Sequence, residues 1–445
     1  MTLVTRRYLY LFFILAFFII TPIVILYANG YELSLSQGRL VKTGMFILNT
    51  KPTGAKIFID NKQQQVFLNK IFKKENFITT PAKIKNIIPG EYTVKFEMEG
   101  YWPWEKKLNI YPGQSTYAED VMLFKHKTPL KLIEGSTKEL YPSNDGKYLI
   151  SSNNSINVLN QSNDQYSPLN IKAKNIEWSP YSDKFLADHK IFDTSDLSLI
   201  VDLDKISSSS ISNIKWDKSD DNNIYFFKNK TLYRYDLNNK QINELLTISN
   251  DIIDYFIKGN NAYFIDKNQV STTLTIYDIN GKKQLRAINF PVFSQLKFIN
   301  YQSKPLNLFD ASNKILYLID PMNVQPIIGT IKNVNNAKWI NENTLLFFNN
   351  SEIYTFDLNS RNSNLLTRIS EPIKDVFWHP SNNYIIYVTD KKINSFELDQ
   401  RDKHNSIELM KIENIYSSYM SSMGSSIYFS GKIGSQEGIY KLSIQ

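Results

Sequence analysis

An aromatic anchor recurs about every 40 residues through the C-terminal part of this chain, and no other feature restricts its fold as strongly. Trp178, Trp216, Phe256, Phe298, Trp339 and Trp378 are separated by 38, 40, 42, 41 and 39 positions. Each anchor ends a short apolar segment, a polar turn of Asn, Asp or Ser follows, and two further apolar segments lead to Asp-Leu or an equivalent. WDKSDDNNIYFFKNKTLYRYDL, starting at Trp216, shows the unit in full. A period near 40 built from strand-like segments predicts a β-propeller, one blade per repeat. Weaker copies start at Tyr141 and Met420. We therefore expect eight blades, with seven as the alternative. The last copy reaches Gln445 with no fourth strand, while TPLKLIE at residues 128–134 precedes the first copy without a unit of its own. Pairing of that early segment into the last blade would close the ring and remove its exposed edge.

The other strong signal lies at the opposite end. Tyr8 to Leu26 is an uncharged apolar run with Arg6 and Arg7 before it. About 20 apolar residues at 1.5 Å each cross a bilayer core of about 30 Å, so a transmembrane helix is expected at 8–27. The Arg pair predicts a cytoplasmic N-terminus at 1–7, too short for a signalling domain, with the bulk extracytoplasmic. Ala28-Asn29-Gly30 has the small-x-small form that signal peptidase accepts, but the apolar run is longer than a signal-peptide core, which favours an anchor. The chain has no cysteine, so neither lipidation at a thiol nor a disulfide contributes.

Hydrophobic residues make up 42% of the sequence, aromatic residues 13% and charged residues 21%, enough apolar surface for large cores. Ile, Tyr, Phe and Thr dominate the periodic stretches while Gly and Asn punctuate them, which predicts an all-β extracytoplasmic region. The formal charge of +8 is spread over isolated lysines. Without a basic run interleaved with aromatics, no nucleic-acid partner is expected, and those lysines are read as solvated surface.

Between helix and repeats, a polar connector at 28–43 leads into short alternating segments from Gly44 to Phe124: MFILNT, AKIFID, AKIKNI, YTVKFEME, WEKKLNIY and TYAEDVML. Ordered among them stand Pro52-Thr53-Gly54-Ala55, Thr80-Pro81, Pro89-Gly90-Glu91-Tyr92, Gly100-Tyr101 and Pro112-Gly113. Residues 44–124 thereby resemble a PEGA domain, which implies a small β-sandwich of prokaryotic cell-surface proteins. Gly54 and Gly90 are expected at tight turns with positive φ. Thr53 stands where the motif has glutamate, and residues 61–78 lengthen a connection that is short in the family. The YPSNDGKYLI and WSPYSDKFLA turns of the 128–445 region are similar to those of TolB-like propellers, a likeness of repeats that implies no ligand.

In Tyr101-Trp102-Pro103-Trp104, the paired rings of Trp102 and Trp104 are candidates for stacking on a sugar or anchoring a protein partner, with core or interface packing the competing expectation. Catalysis finds little support. His126, His189, His379 and His404 lack metal-ligand spacing, and no GxSxG element occurs. Asp217, Ser219 and Asp221 resemble the start of a calcium loop, yet Asn222 stands where glycine is required and Lys228 where the twelfth-position carboxylate belongs. No metal, cofactor or catalytic residue is assigned. The expected function is a non-enzymatic, single-pass cell-envelope protein whose propeller binds or scaffolds a protein, peptide or glycan. The alternative is an envelope hydrolase or lyase acting through propeller carboxylates.

Overall fold

The computed structural model describes residues 3–34, 38–65, 77–135, 139–152, 155–207, 210–267, 271–290, 296–299 and 305–445. The lengthened connection anticipated at 61–78 falls largely on 66–76, outside the described residues. The chain opens with the helix Leu3–Ala28, Pro22 inside it. Its stretch Thr5–Ala28 has mean hydropathy 2.8 and no buried residue in its most apolar window, so by length and composition it can cross a membrane. A hairpin of Tyr31–Ser34 and Arg39–Lys42 follows.

Two sheets then face each other. The strands Ala82–Ile87, Gly44–Lys51 and Ser115–Met122 form one, and Lys62–Gln63, Lys56–Ile59, Gly90–Glu97 and Trp104–Ile110 form the other. Strict alternation in Gly44–Lys51 and Trp104–Ile110 turns every second side chain inward. Phe46, Leu48, Ile57, Val94, Phe96 and Leu108 meet there, each at most 1% exposed. Gly54 is left-handed at φ +95°, as the sequence predicts. Gly90 is not. It opens the strand Gly90–Glu97 opposite Ile110, where extended backbone is required, and the nearby left-handed residue is Asn86 at φ +57°, at the bulge of the strand Ala82–Ile87.

Beyond the sandwich, the described residues form eight four-stranded antiparallel sheets. The strands Glu139–Pro142, Ile176–Trp178, Ser212–Trp216, Asp251–Lys258, Leu296–Ile299, Asn336–Trp339, Ile373–Trp378 and Asn414–Met420 open blades one to eight in order. Opening strands touch between blades two and three, four and five, seven and eight, and eight and one, so they form the inner wall of a ring. The exposed fourth strands, such as Asn362–Arg368, lie outermost.

A buried apolar cluster fills each junction between blades, and the anchors sit in these clusters. Trp178 packs with Ile150, Ile156 and Val158 of blade one, and Trp216 with Leu186 and Ile191 of blade two. Their indole Nε1 groups donate to backbone one repeat earlier, Trp178 to Tyr141 O at 3.0 Å and Trp216 to Glu177 O at 3.2 Å. Trp339 reaches Asn307 Oδ1 of blade five at 3.3 Å. Trp378 is half-buried against blade six but bonds Asn382 of its own turn at 2.8 Å. Phe256 departs from the repeat: strand alternation sends Tyr255 and Ile257 to the junction with blade three, and Phe256 to the junction with blade five.

The ring closes as the unassigned early strand predicts. Leu130–Glu134 pairs antiparallel with Gln436–Ser443 and is the outer strand of blade eight. Gly438 permits the approach, because a Cβ there would meet Ile133 O at 2.6 Å. Leu149, Leu159 and Tyr428 fill the junction of blades eight and one, and Lys441 bonds Asp164 across it at 2.7 Å. Deleting Lys127 to Glu134 removes several ladder hydrogen bonds and is expected to destabilise the ring by on the order of 3 kcal/mol. Hydrogen exchange should rise in Gln436–Ser443; unchanged melting with those amides still protected would refute the closure.

Candidate binding channel

The inner wall encloses a cavity of about 1370 Å³, lined from blades one, two, three, five and six. Lysines are prominent on it: Lys215, Lys218, Lys297 and Lys338 all line the space. Lys215 and Lys338 directly precede anchors, where alternation turns the side chain away from the strand neighbour that packs between blades. Three of the four are neutralised by an adjacent blade. Lys215 pairs with Asp254 of blade four and donates to Tyr255 O at 2.9 Å, Lys218 pairs with Glu177 of blade two, and Lys338 meets Asp375 of blade seven at 2.8 Å. Asp254 is itself held by the amide of Phe298 at 2.7 Å.

Lys297 differs. It is exposed, lies 5.9 Å from the Phe309 ring, and has no ionic partner among the described residues. Trp178 and Trp339 also face the cavity, so the wall combines aromatic surface, paired charges, the Glu342 carboxylate and an ammonium with no counter-charge among the described residues. That combination suits capture of an acidic group beside a flat apolar one. The sequence alone places these lysines on solvated surface. The available signal was a lysine beside an anchor with an aspartate one repeat later, 39 positions for Lys215 and Asp254 and 37 for Lys338 and Asp375.

The two candidate tryptophans lie elsewhere, at the joint between sandwich and ring. Trp104 is 2% exposed, stacks on Phe96 at 5.0 Å, and donates from Nε1 to Glu397 Oε1 of blade seven at 3.1 Å. The strand begins only at Trp104, so Pro103 does separate the pair. Trp102 is half-buried, its ring 4.1 Å from that of His126, and it packs against the cluster joining blades seven and eight. Both rings are thus engaged by the chain's own residues.

Beside Trp104, the inward-facing Lys106 is wholly buried and meets Glu397 at 2.9 Å and Asp399 at 3.5 Å. Asn405 Nδ2 donates to the second Glu397 oxygen at 2.9 Å. Lys106 was missed in the sequence, although a lysine in register with Trp104, Leu108 and Ile110 on an alternating strand marks an inward cation. The linker completes the joint. Phe124 is buried against Tyr384 at 5.3 Å, and the Met122 amide donates to the Tyr384 hydroxyl at 3.1 Å. Burial, then the Glu397 charge, pushes the Tyr384 phenol far above its ordinary value. Among the described residues, none from the sandwich lines the cavity.

The histidines each have local partners. His189 meets Asp204 at 2.7 Å, His404 meets Glu397 O at 2.8 Å, and His379 contacts Ser381, Gly424 and Gln445. Burial lowers the His379 pKa, while its bond to Gly424 opposes that shift. Asp217 accepts from Ser219 and from the Tyr225 hydroxyl, and Asp221 accepts from Ser179 and the Tyr181 amide of blade two. Asp221 thereby ties the turn of blade three to that of blade two, while Asp217 bonds within its own blade.

A closed ring of four-stranded sheets around a charged channel, joined to a small sandwich and an apolar N-terminal helix, defines an all-β propeller protein. The chain carries a PEGA domain, matched over residues 72–122. The match includes Thr80-Pro81, Pro89-Gly90, Gly100-Tyr101 and Pro112-Gly113; Pro52-Thr53-Gly54-Ala55 lies ahead of it. No curated protein matches the sequence. Among solved structures, it is similar to a eukaryotic initiation factor at 11% identity and TM-score 0.49, covering 68% of this chain and 90% of that one. The Dos1 propeller gives 12%, 0.49, 71% and 95% in the same order. A mitotic checkpoint complex chain gives 11%, 0.41, 72% and 93%.

Proposed function

We propose that this chain is a non-enzymatic, membrane-anchored protein of the cell envelope whose ring binds or scaffolds an acidic protein, peptide or glycan partner. Lys297 carries the reading. On a wall where the other lining lysines are neutralised by neighbouring blades, it is, among the described residues, the lysine left for a ligand, with Trp178 and Trp339 offering apolar surface in the same cavity. A single charge recognised among paired ones sets orientation and discriminates against basic partners. The sandwich docks on blades seven and eight, so it acts as a spacer that leaves the channel wall uncovered.

Crosslinking the intact chain in its native membrane and identifying the captured component tests the binding reading. Lys297→Gln should weaken that capture roughly tenfold, about 1.4 kcal/mol, with melting unchanged. Capture indifferent to Lys297→Gln and to salt would remove the channel from consideration. For the anchor, the intact chain should stay with membranes through a high-salt wash and leave them in detergent. A soluble protein beginning at Tyr31 would overturn it.

A further inference from the structure

The hairpin after the helix has two unlike faces. Tyr31 opposes Lys42 and Leu33 opposes Leu40, so Tyr31, Leu33, Leu40 and Lys42 share one face, while Glu32, Arg39 and Val41 lie on the other. The first three are 38%, 55% and 51% exposed. Tyr27, in the last helical turn, is 51% exposed. A two-stranded ribbon is marginal in water by itself, and an uncovered apolar face makes it more so.

The ribbon is also tied closely to the helix. Asn29 N and Nδ2 both donate to Ile25 O, at 3.0 and 2.8 Å, and Gly30 turns the chain at φ +77°. Thr43, just after the second strand at the ribbon's base, donates to Gly30 O through its amide at 2.7 Å and its hydroxyl at 2.8 Å. Helix end and ribbon base are therefore bonded to each other. Two residues, Asn29 and Gly30, separate Ala28 from Tyr31, a reach of at most about 11 Å. The apolar stretch of 24 residues is about 36 Å long against a hydrocarbon core of about 30 Å, so its end falls in the headgroup layer.

We propose that this ribbon lies in the membrane interface, with Tyr31, Leu33 and Leu40 turned into the boundary between headgroups and acyl chains. The bilayer that the helix enters is the occupant of the apolar face by continuity: Asn29 and Gly30, both bonded back to the last helical turn, are all that stands between the unburied helix and the exposed face of the ribbon. Tyrosines at this depth place an apolar ring in lipid and a hydroxyl in water. Lys42, opposite Tyr31, lays its side chain and ammonium over Gly113 of the sandwich, at the edge of this face. Thr43 O also accepts from the Gly113 amide at 2.9 Å, so a ribbon resting on lipid holds the sandwich at the membrane surface instead of on a free tether. The inference rests on the membrane-anchored reading above.

The chain has no cysteine, so one introduced thiol reports from one place. The full-length protein is placed in vesicles of phosphatidylcholine and phosphatidylglycerol, and spin labels are attached at Leu33→Cys, Leu40→Cys, Glu32→Cys and Phe17→Cys. Relaxation by oxygen relative to a water-soluble nickel chelate should be several-fold higher at Leu33→Cys and Leu40→Cys than at Glu32→Cys, and highest at Phe17→Cys. Water-like labels at Leu33→Cys and Leu40→Cys beside a lipid-like label at Phe17→Cys would overturn the interfacial ribbon and leave the anchor standing. A water-like label at Phe17→Cys as well would remove both.

Discussion

Replacing Trp216 by alanine should cost the ring about 3–5 kcal/mol, the range for deleting a fully buried large aromatic side chain. Trp216 is 1% exposed, fills the junction of blades two and three, and spends its indole donor on Glu177 O. It does not line the channel, so any loss of binding should follow the loss of fold. Trp178→Ala should be similarly costly but should also alter the cavity wall, since Trp178 faces both. Trp339→Ala and Trp378→Ala should cost less, because these rings are only half-buried. Equilibrium denaturation of the four variants gives the order directly. Normal stability in all four, together with lost partner capture, would mean that the rings form a recognition surface and do not join the blades.

Lys106→Ala is the second substitution expected to do severe damage. It leaves Glu397, 4% exposed, facing Trp104 Nε1 and Asn405 Nδ2 without its counter-ion. Removing one partner of a buried ion pair costs about 3–5 kcal/mol, mostly through the charge left behind. The effect should localise: amide exchange should rise at residues 100–126 and 397–405, where sandwich and ring meet, before the outer blades loosen. Lys106→Arg, which keeps the charge but enlarges the head, should be milder if the site can expand. A Lys106→Ala protein with native stability and unchanged exchange at the joint would show that the pair is open to water in solution.

What the sequence made legible followed from local pattern. Tryptophans recurring at one repeat position marked the junctions between blades, and an unassigned strand before the first repeat marked how the ring closes. Phe256 was misplaced because YFI offers two aromatics in succession, and a slip of one position exchanges the two sides of a strand. Trp104 and Lys106 could be read as inward-facing, but their acceptors Glu397 and Asp399 are 293 residues away, and nothing local connects them. Gly90 followed its motif in sequence and not in backbone, since the strand it opens needs extended geometry at once. The channel lysines looked like ordinary surface because each ion pair joins different repeats. Only the ring brings them together.

The pairing of Leu130–Glu134 with Gln436–Ser443 also sets a timetable. Lys131 and Gln436, bonded at 3.1 Å in this joint, are 305 residues apart. A ribosome adding roughly 5–20 residues per second takes on the order of 15 to 60 s to make the chain between them. Throughout that interval the early strand is already made while its mate does not exist, its hydrogen-bonding edge open to any other strand nearby. Earlier blades can form as they emerge, but the barrier to wrong partners must be kinetic until the last repeat arrives. Any helper that shields nascent chains should therefore bind this protein longest at residues 130–134.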